Sequence, residues 1–202
     1  EETLPPARAP VSDKLYFYSG SVDAPPGRGA NEVVADPSVY AELASIPHWR
    51  RVLSNFHVCP FTFRGKTYRT IEHAFQAAKI ALANPQQAER FTVESGDPLG
   101  AGDGLAARNA RKLVVLTPQQ VSMWDKQAPT VMAEAARAKY TQCPDAARVL
   151  RATRSAELWH IVVRGKPIRF THLEALRSED VTPARAPSPP KRAPSTEAPA
   201  RA

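Results

Sequence analysis

The sequence predicts a predominantly helical single domain of the α+β class with a few short strands. Helical signals outnumber strand signals along the chain. Glu72, Phe75, Gln76 and Lys79 fall at i, i+3, i+4 and i+7, the spacing of one helical face. The strand-like runs are short and bounded by Gly and Pro, and no internal repeat is visible.

Taken in order, KLYFYS at 14–19 reads as an aromatic-rich strand, and GSVDAPPGRGANE after it as a loop. PSVYAELAS reads as a short helix with Pro37 near its start. FTFRGKTYRT at 61–70 is strand, turn, strand, with Gly65-Lys66 at the tip. Thr70 can cap the helix TIEHAFQAAKI, and Asn84-Pro85 ends it. PQQAERFTVE reads as a second helix, SGDPLGAGDG as a glycine-rich connection, and LAARNARKL as a third helix. Thr117-Pro118 is an N-cap and first-turn pair opening a long helical stretch to Gln142. Pro129 inside it predicts a kink or break. PDAARVLRAT is helical from Pro144, LWHIVV is a strand, and THLEALR is a last turn or two of helix.

Length and composition set the boundaries. The 202 residues suffice for one domain with a core plus tails. Residues 1–13 and 179–202 are rich in Pro and poor in apolar side chains. They are expected to be disordered segments around a domain at 14–178. The net charge is +7, and the stretch 181–202 holds four basic residues against one acidic. That tail allows a weak nucleic-acid contact, although a plain solvated tail is the favoured reading. Cys59 and Cys143 form no CxxC pair, so spacing gives neither a disulfide framework nor a zinc site. A reducing, intracellular location, cytoplasmic or nuclear, is expected. No membrane contact is expected, since the apolar runs are too short to span one. The first ten residues are unlike a secretory signal.

Chemistry concentrates on the helix at 70–80. An acid, an aromatic, an amide and an amine on one face make an unusual core and an unusual surface. Either these polar groups satisfy loop backbone in a core helix, or Glu72 is a general acid/base or a binder of ribose hydroxyls. Lys79 lies two turns on, about 10 Å along the axis, within reach of the same cavity through its long stem. Asn55 either caps a turn or donates to a sugar or base. Trp124 is a core residue or a stacking platform for a nucleobase. Arg108 and Lys112, four apart, form a solvated basic face or a phosphate clamp. SGDPLGAGDG lacks the GK[ST] ending of a phosphate-binding loop, and the histidines show no metal pattern. His73 points to another helix face, where it packs or caps.

The ordered pieces Phe17-Tyr18, Ser54-Asn55-Phe56, Pro60-Phe61 with Gly65, Thr70-x-Glu-His-x-Phe-Gln-x-x-Lys79, Trp124 and Ala138-Lys139-Tyr140-x-Gln142 together resemble the NADAR family. The likeness covers roughly 16–177. The Glu-His-x-Phe-Gln block is its most specific part. The resemblance implies a helix-rich α+β fold and cleavage of an N-glycosidic bond. The implied substrates are ADP-ribose attached to guanine, in nucleoside, nucleotide or DNA, or ribosylamino-pyrimidine intermediates of riboflavin synthesis. It implies Glu72 and Trp124 as active-site acid and aromatic wall, then Asn55 and Lys79. Phe56, Gln76, Arg108, Lys112, Ser54 and Lys66 are the further substrate contacts, with Lys66 second to Lys79 as an amine nucleophile. No metal or other cofactor is required. The chain departs from riboflavin-linked members where ELWHIVVRGKPIRFTHLEALR replaces their acidic Asp-x-x-Trp-Gly segment, and in the insert before LSNF. That departure favours the ADP-ribosyl branch, with His160, Arg164 and Arg169 supplying contacts in place of the missing acid. A module that binds ADP-ribose or NAD without cleaving it, and a single-stranded nucleic-acid binder using the tail, are the alternatives.

Overall fold

The structure is a computed structural model and describes residues 11–179. The terminal segments set apart by composition lie outside the described residues, but for 11–13 and Glu179. Regular structure runs from β1 (Lys14–Phe17) to α8 (Thr171–Ser178) in a predominantly helical α+β arrangement. No helix among the described residues is long and apolar enough to cross a membrane.

Two small sheets sit among the helices. β1 pairs in parallel with β4 (Glu157–His160), with Phe17 opposite His160. β4 pairs antiparallel with β5 (Ile168–Arg169). The ends of the domain therefore meet in one sheet, and Leu15, Phe17 and Leu158 are buried beneath it. The second sheet is the expected hairpin of β2 (Phe61–Phe63) and β3 (Lys66–Tyr68). Its register pairs Phe63 with Lys66, so the turn residues are Arg64 and Gly65, one position earlier than the predicted tip. Both have positive φ, 50° and 77°, as a two-residue turn matched to strand twist requires.

Helix signals held where caps were explicit. Thr70 accepts the His73 N–H and starts α3 (Ile71–Ala81). Thr117 and Gln120 form a reciprocal capping box that starts α6 (Pro118–Gln142). α6 runs through Pro129 without ending, although Pro129 cannot donate to the Asp125 carbonyl. Packing accounts for this: Trp124 is buried before the proline, and Val131, Ala135, Ala136 and Tyr140 after it. Two helices are shorter than predicted. α4 (Pro85–Glu89) stops where the Thr92 hydroxyl turns back to the Glu89 carbonyl, competing with the helical bond. α5 (Gly104–Asn109) tightens into a 3-10 turn at Ala110–Leu113. A 3-10 turn at Pro37–Tyr40 likewise precedes α1 (Ala41–Ala44). α2 (Trp49–Val52) is a single turn without a capping side chain and left no signal in the sequence. α7 (Pro144–Ala152) begins at its proline as expected.

α3 divides the core. Ile71 and Ala74 join the main cluster with Tyr40, Trp49, Phe61, Tyr140 and Leu158. Ala77 and Ile80 face a smaller cluster with Phe91 and Ala107. The inserted loop before α2 is pinned by a buried ion pair. The Glu32 carboxylate accepts from Arg50 Nε and Nη2 at 2.9 and 2.8 Å, and from the N–H groups of Tyr16, Gly27 and Gly29.

Cys59 and Cys143 form a disulfide, Cα atoms 6.4 Å apart, closing a sequence separation of 84 residues. This corrects the expectation of no disulfide: such a separation leaves no local pattern, and only the fold brings the junction of α6 and α7 against the segment before β2. Breaking the bond by Cys143→Ser is expected to lower stability by about 2–4 kcal/mol. Denaturant midpoints measured with and without reductant check it: reductant should shift the wild type toward the variant and leave the variant unmoved.

Gly104 opens α5 directly against Phe56. A Cβ there would lie 2.5 Å from Phe56 Cγ and 2.6 Å from its Cα. Gly104→Ala is therefore expected to displace Phe56 and cost about 1–3 kcal/mol, read as a lower melting temperature.

Candidate active site

The site begins with a helix end. The first N–H groups of α3 have no partners inside the helix. Thr70 takes one of them, and the Glu72 N–H donates to the Asn55 carbonyl at 3.1 Å. That bond draws Ser54–Phe56, the segment between α2 and β2, onto the first turn of α3. Ser54 is buried, its Oγ accepting the Phe56 N–H at 3.2 Å. Asn55 Nδ2 donates weakly to Met132 Sδ at 3.6 Å, and Asn55 Oδ1 is buried with no partner.

This junction forms one end of a cavity of about 460 Å³. Ser54, Asn55, Glu72 and Arg108 make that end polar. The other side is apolar and aromatic: Tyr18 from the end of β1, Phe56, Met132 from α6, and Ile161, Val162, Val163, Ile168 and Phe170 from β4, β5 and the turn between them. His160 and His172 also line it. His160 stacks on Phe170 at 5.0 Å, and Phe170 meets His172 at 4.8 Å. Burial lowers the pKa of both imidazoles, His172 to about 4, so both are neutral at neutral pH.

Glu72 is the one carboxylate among the lining residues. It is 8% exposed, and Gln76 Nε2 donates to its Oε1 at 2.8 Å. Desolvation raises its pKa, and this outweighs the opposing pull of the Gln76 hydrogen bond and of the Arg108, Arg111 and Lys79 charges. A carboxylate held this way accepts a proton more readily than a solvated glutamate while its cationic neighbours keep the ionised form accessible. His73, one residue on, takes no part. It is fixed by Thr70 Oγ1 at 2.8 Å and the Leu99 carbonyl at 3.0 Å, and so anchors the glycine-rich connection.

Of the ten residues selected from sequence, Glu72, Asn55, Ser54, Phe56 and Arg108 come together around this cavity, and Gln76 touches it through Glu72. Lys79 and Trp124 do not. They line a separate cleft of about 250 Å³ with Arg111 and Asp125. Trp124 is 6% exposed and packs edge-to-face on Phe75 at 4.8 Å, so it is not a wall of the Glu72 cavity. Lys66 is paired with Glu89 at 2.6 Å on the outer hairpin, outside both spaces. Lys112 is exposed on the 3-10 turn after α5 and lines neither. Of the contacts expected from the altered C-terminal segment, His160 and Arg169 line the cavity and Arg164 does not. Arg169 is held by Glu174 at 3.0 Å. Tyr18, Met132, Phe170 and His172 were not selected. Their place depends on the parallel pairing of β1 with β4 and on α6 crossing α3, which no local pattern announces. Among the described residues no group of three or more His, Cys, Asp or Glu is gathered as a metal site.

Comparison with known proteins places the chain in a family. The NADAR domain model matches residues 46–164, more than half the chain. The solution structure of the Escherichia coli protein YbiA aligns over 84% of each chain, with 23% identity and a TM-score of 0.46. No curated protein matches. The matched span contains Ser54–Phe56, α3 and Arg108, the polar half of the cavity, and the chain belongs to the NADAR family.

Proposed function

We propose that this domain, of the N-glycosidase type, hydrolyses the bond between ADP-ribose and guanine in a nucleoside, nucleotide or DNA. The observation that carries the reading is the buried Glu72 carboxylate at the polar end of a cavity whose opposite wall is apolar and aromatic. A glycosidic carbon losing its base becomes oxocarbenium-like, and a desolvated carboxylate beside it stabilises that charge strongly. An apolar wall suits a flat, uncharged leaving base.

With a single carboxylate, a scheme that divides the work between two acids does not apply. Glu72 serves in turn. The base leaves with the electrons of the C–N bond, and water adds its oxygen to the sugar carbon. Glu72 takes the proton that water gives up and passes it to the departing nitrogen, which returns the carboxylate. Asn55 orients a ribose hydroxyl. Arg108, exposed at the rim, holds the diphosphate, with Lys112 one turn on. The cleft of Trp124, Arg111 and Lys79 opens on the same helix and accommodates the adenine end of so long a ligand. A Schiff base between the opened sugar and Lys79 is the competing chemistry, and the position of Lys79 outside the Glu72 cavity counts against it.

Three outcomes separate the readings. Incubation with ADP-ribosylated guanosine, ADP-ribosylated DNA and a ribosylamino-pyrimidine, followed by mass spectrometry, should give ADP-ribose with unmodified guanosine from the first, ADP-ribose with unmodified DNA from the second, or both. Release from the pyrimidine alone assigns the riboflavin-type activity, and binding of ADP-ribose without release leaves a binding module. Borohydride added during turnover should trap no adduct.

Glu72→Gln keeps the shape and the Gln76 hydrogen bond, and should lower kcat by about 100-fold or more. Wild-type activity in this variant removes Glu72 from the mechanism. The acid limb of the wild-type pH profile should lie above the ordinary glutamate range, because burial raises the Glu72 pKa. The same shift fixes a stability sign. A carboxyl whose folded pKa is raised favours folding below its unfolded pKa, and this advantage is lost as pH rises through the folded value. Glu72→Gln should therefore melt higher than wild type at about pH 8, with the gap closing toward about pH 4.

A further inference from the structure

Lys139 is fully buried on α6, lines neither space described above, and has no part in the mechanism. No carboxylate pairs with it among the described residues. Its Nζ donates to the carbonyls of Val52 at 3.1 Å and Ser54 at 3.4 Å, and sits 5.1 Å from the centre of the Tyr140 ring. An ammonium buried without a counter-ion is costly. The cost is visible on both sides: burial lowers the Lys139 pKa to about 7, and burial together with the Lys139 charge lowers that of His57 to about 4. What that cost secures lies in the two carbonyls.

Val52 ends α2, a one-turn helix. The Arg51 carbonyl there accepts the Ser54 N–H at 3.1 Å, and the Val52 carbonyl takes the Lys139 ammonium instead. Ser54 opens the cavity segment. Its carbonyl also accepts the His57 N–H at 3.1 Å, its hydroxyl accepts the Phe56 N–H, and the next carbonyl, that of Asn55, accepts the Glu72 N–H. One turn beyond Lys139, Cys143 ties the far end of the same segment through Cys59. The last turn of α6 therefore grips both ends of 52–59.

We propose that Lys139 is a positioning residue: by holding the Val52 and Ser54 carbonyls it sets the Ser54–Phe56 wall against the first turn of α3, and so sets Asn55 beside Glu72. The proposal rests on the Glu72 cavity being the active site. Its effect is local, on the register between this segment and α3, and not on global stability.

The Glu72 amide reports that register directly, since its acceptor is the Asn55 carbonyl. In the full chain, Lys139→Met keeps the stem and removes the donors, and Lys139→Gln keeps a neutral donor. Amide hydrogen exchange should show Glu72 protection falling about tenfold or more in Lys139→Met, with amides in the middle of α3 and α6 unchanged. Lys139→Gln should fall between that variant and wild type. With ADP-ribosylated guanosine, kcat should drop about 10- to 100-fold in Lys139→Met, as a misplaced group demands. KM should stay within about twofold, because Arg108 on α5 and the β4–β5 side of the apolar wall make no hydrogen bond to Lys139. Undiminished Glu72 protection overturns the proposal. So does protection lost evenly along the chain, or failure of both variants to fold, since either makes the role global; if only Lys139→Met fails to fold, Lys139→Gln decides by the same amide. Should wild type cleave neither the nucleoside nor ADP-ribosylated DNA, the ADP-ribosyl-guanine reading falls and the exchange result alone decides the role of Lys139.

Discussion

The first turn of α3 sets the constraint on which the site depends. A helix exposes N–H groups at its start that must find acceptors, and when that start is buried, water cannot supply them. Here one acceptor is the adjacent Thr70 and another is a carbonyl seventeen positions back in the chain, that of Asn55. Burial of Ile71, Glu72 and His73 makes the second partner obligatory. A backbone requirement thereby fixes a functional geometry, since the residue whose carbonyl answers Glu72 is the one whose side chain stands beside it. Any sequence that keeps α3 buried and the Ser54–Phe56 segment in reach reproduces this half of the cavity, whatever covers the other half.

Electrostatics around Glu72 follow from how cations are distributed. Over much of the surface, basic residues are matched: Arg64 with Glu134, Lys66 with Glu89, Arg90 with Asp97, Arg148 with Glu42. Those exposed pairs contribute little to stability. Arg108, Arg111 and Lys79 have no carboxylate within salt-bridge distance among the described residues, yet their charges all bear on Glu72. They stand off it and leave desolvation dominant, so the carboxyl is not locked in an ion pair and its pKa is raised. A contact ion pair would have depressed its pKa and spoiled it as a base. Leaving Arg108 without a matching acid keeps its field available for an anionic ligand at the rim of this cavity. Deeper in the fold the opposite solution holds the inserted loop: Glu32 and Arg50 are fully paired, and pairing inside the core fixes a conformation and does no chemistry.

What was legible in the sequence was what is local. The Thr70 cap, the 3.6-residue spacing of α3 and the Thr117-Pro118-x-Gln120 start of α6 act within a few residues, and each element formed as read. The clustering of Glu72, Asn55, Ser54 and Phe56 was legible because the family block joins a helix to the segment that caps it. What escaped was set by long-range packing. The disulfide joins residues 84 apart, and the parallel pairing of β1 with β4 brings Tyr18 next to His160 and Phe170. Pro129 reads as a breaker, but buried contacts on both sides of it outweigh one lost hydrogen bond. Lys79 shares the face of α3 with Glu72 by period. Phe75 lies on that face too, its ring against Trp124 of α6, and Lys79 and Trp124 look into another cleft.

The division of the cavity between its two halves bears on what the site can distinguish. The polar half comes from the matched family span and carries the groups that meet a sugar: a carboxylate, an amide and a guanidinium. The aromatic half draws on Tyr18, Ile168, Phe170 and His172 outside that span, and on Phe56, Met132 and residues 161–163 within it. With two neutral imidazoles, no carboxylate, and Arg169 tied to Glu174, that half offers mainly stacking and shape. An apolar pocket discriminates modestly by size, whereas a hydrogen-bonding site rejects ligands that leave its groups unpaired. Bond cleavage and recognition of the leaving group are therefore separable. Substitutions on the β4–β5 wall can change which base departs without disturbing the carboxylate that assists its departure, because that wall belongs to the sheet of β1, β4 and β5 and Glu72 to the first turn of α3.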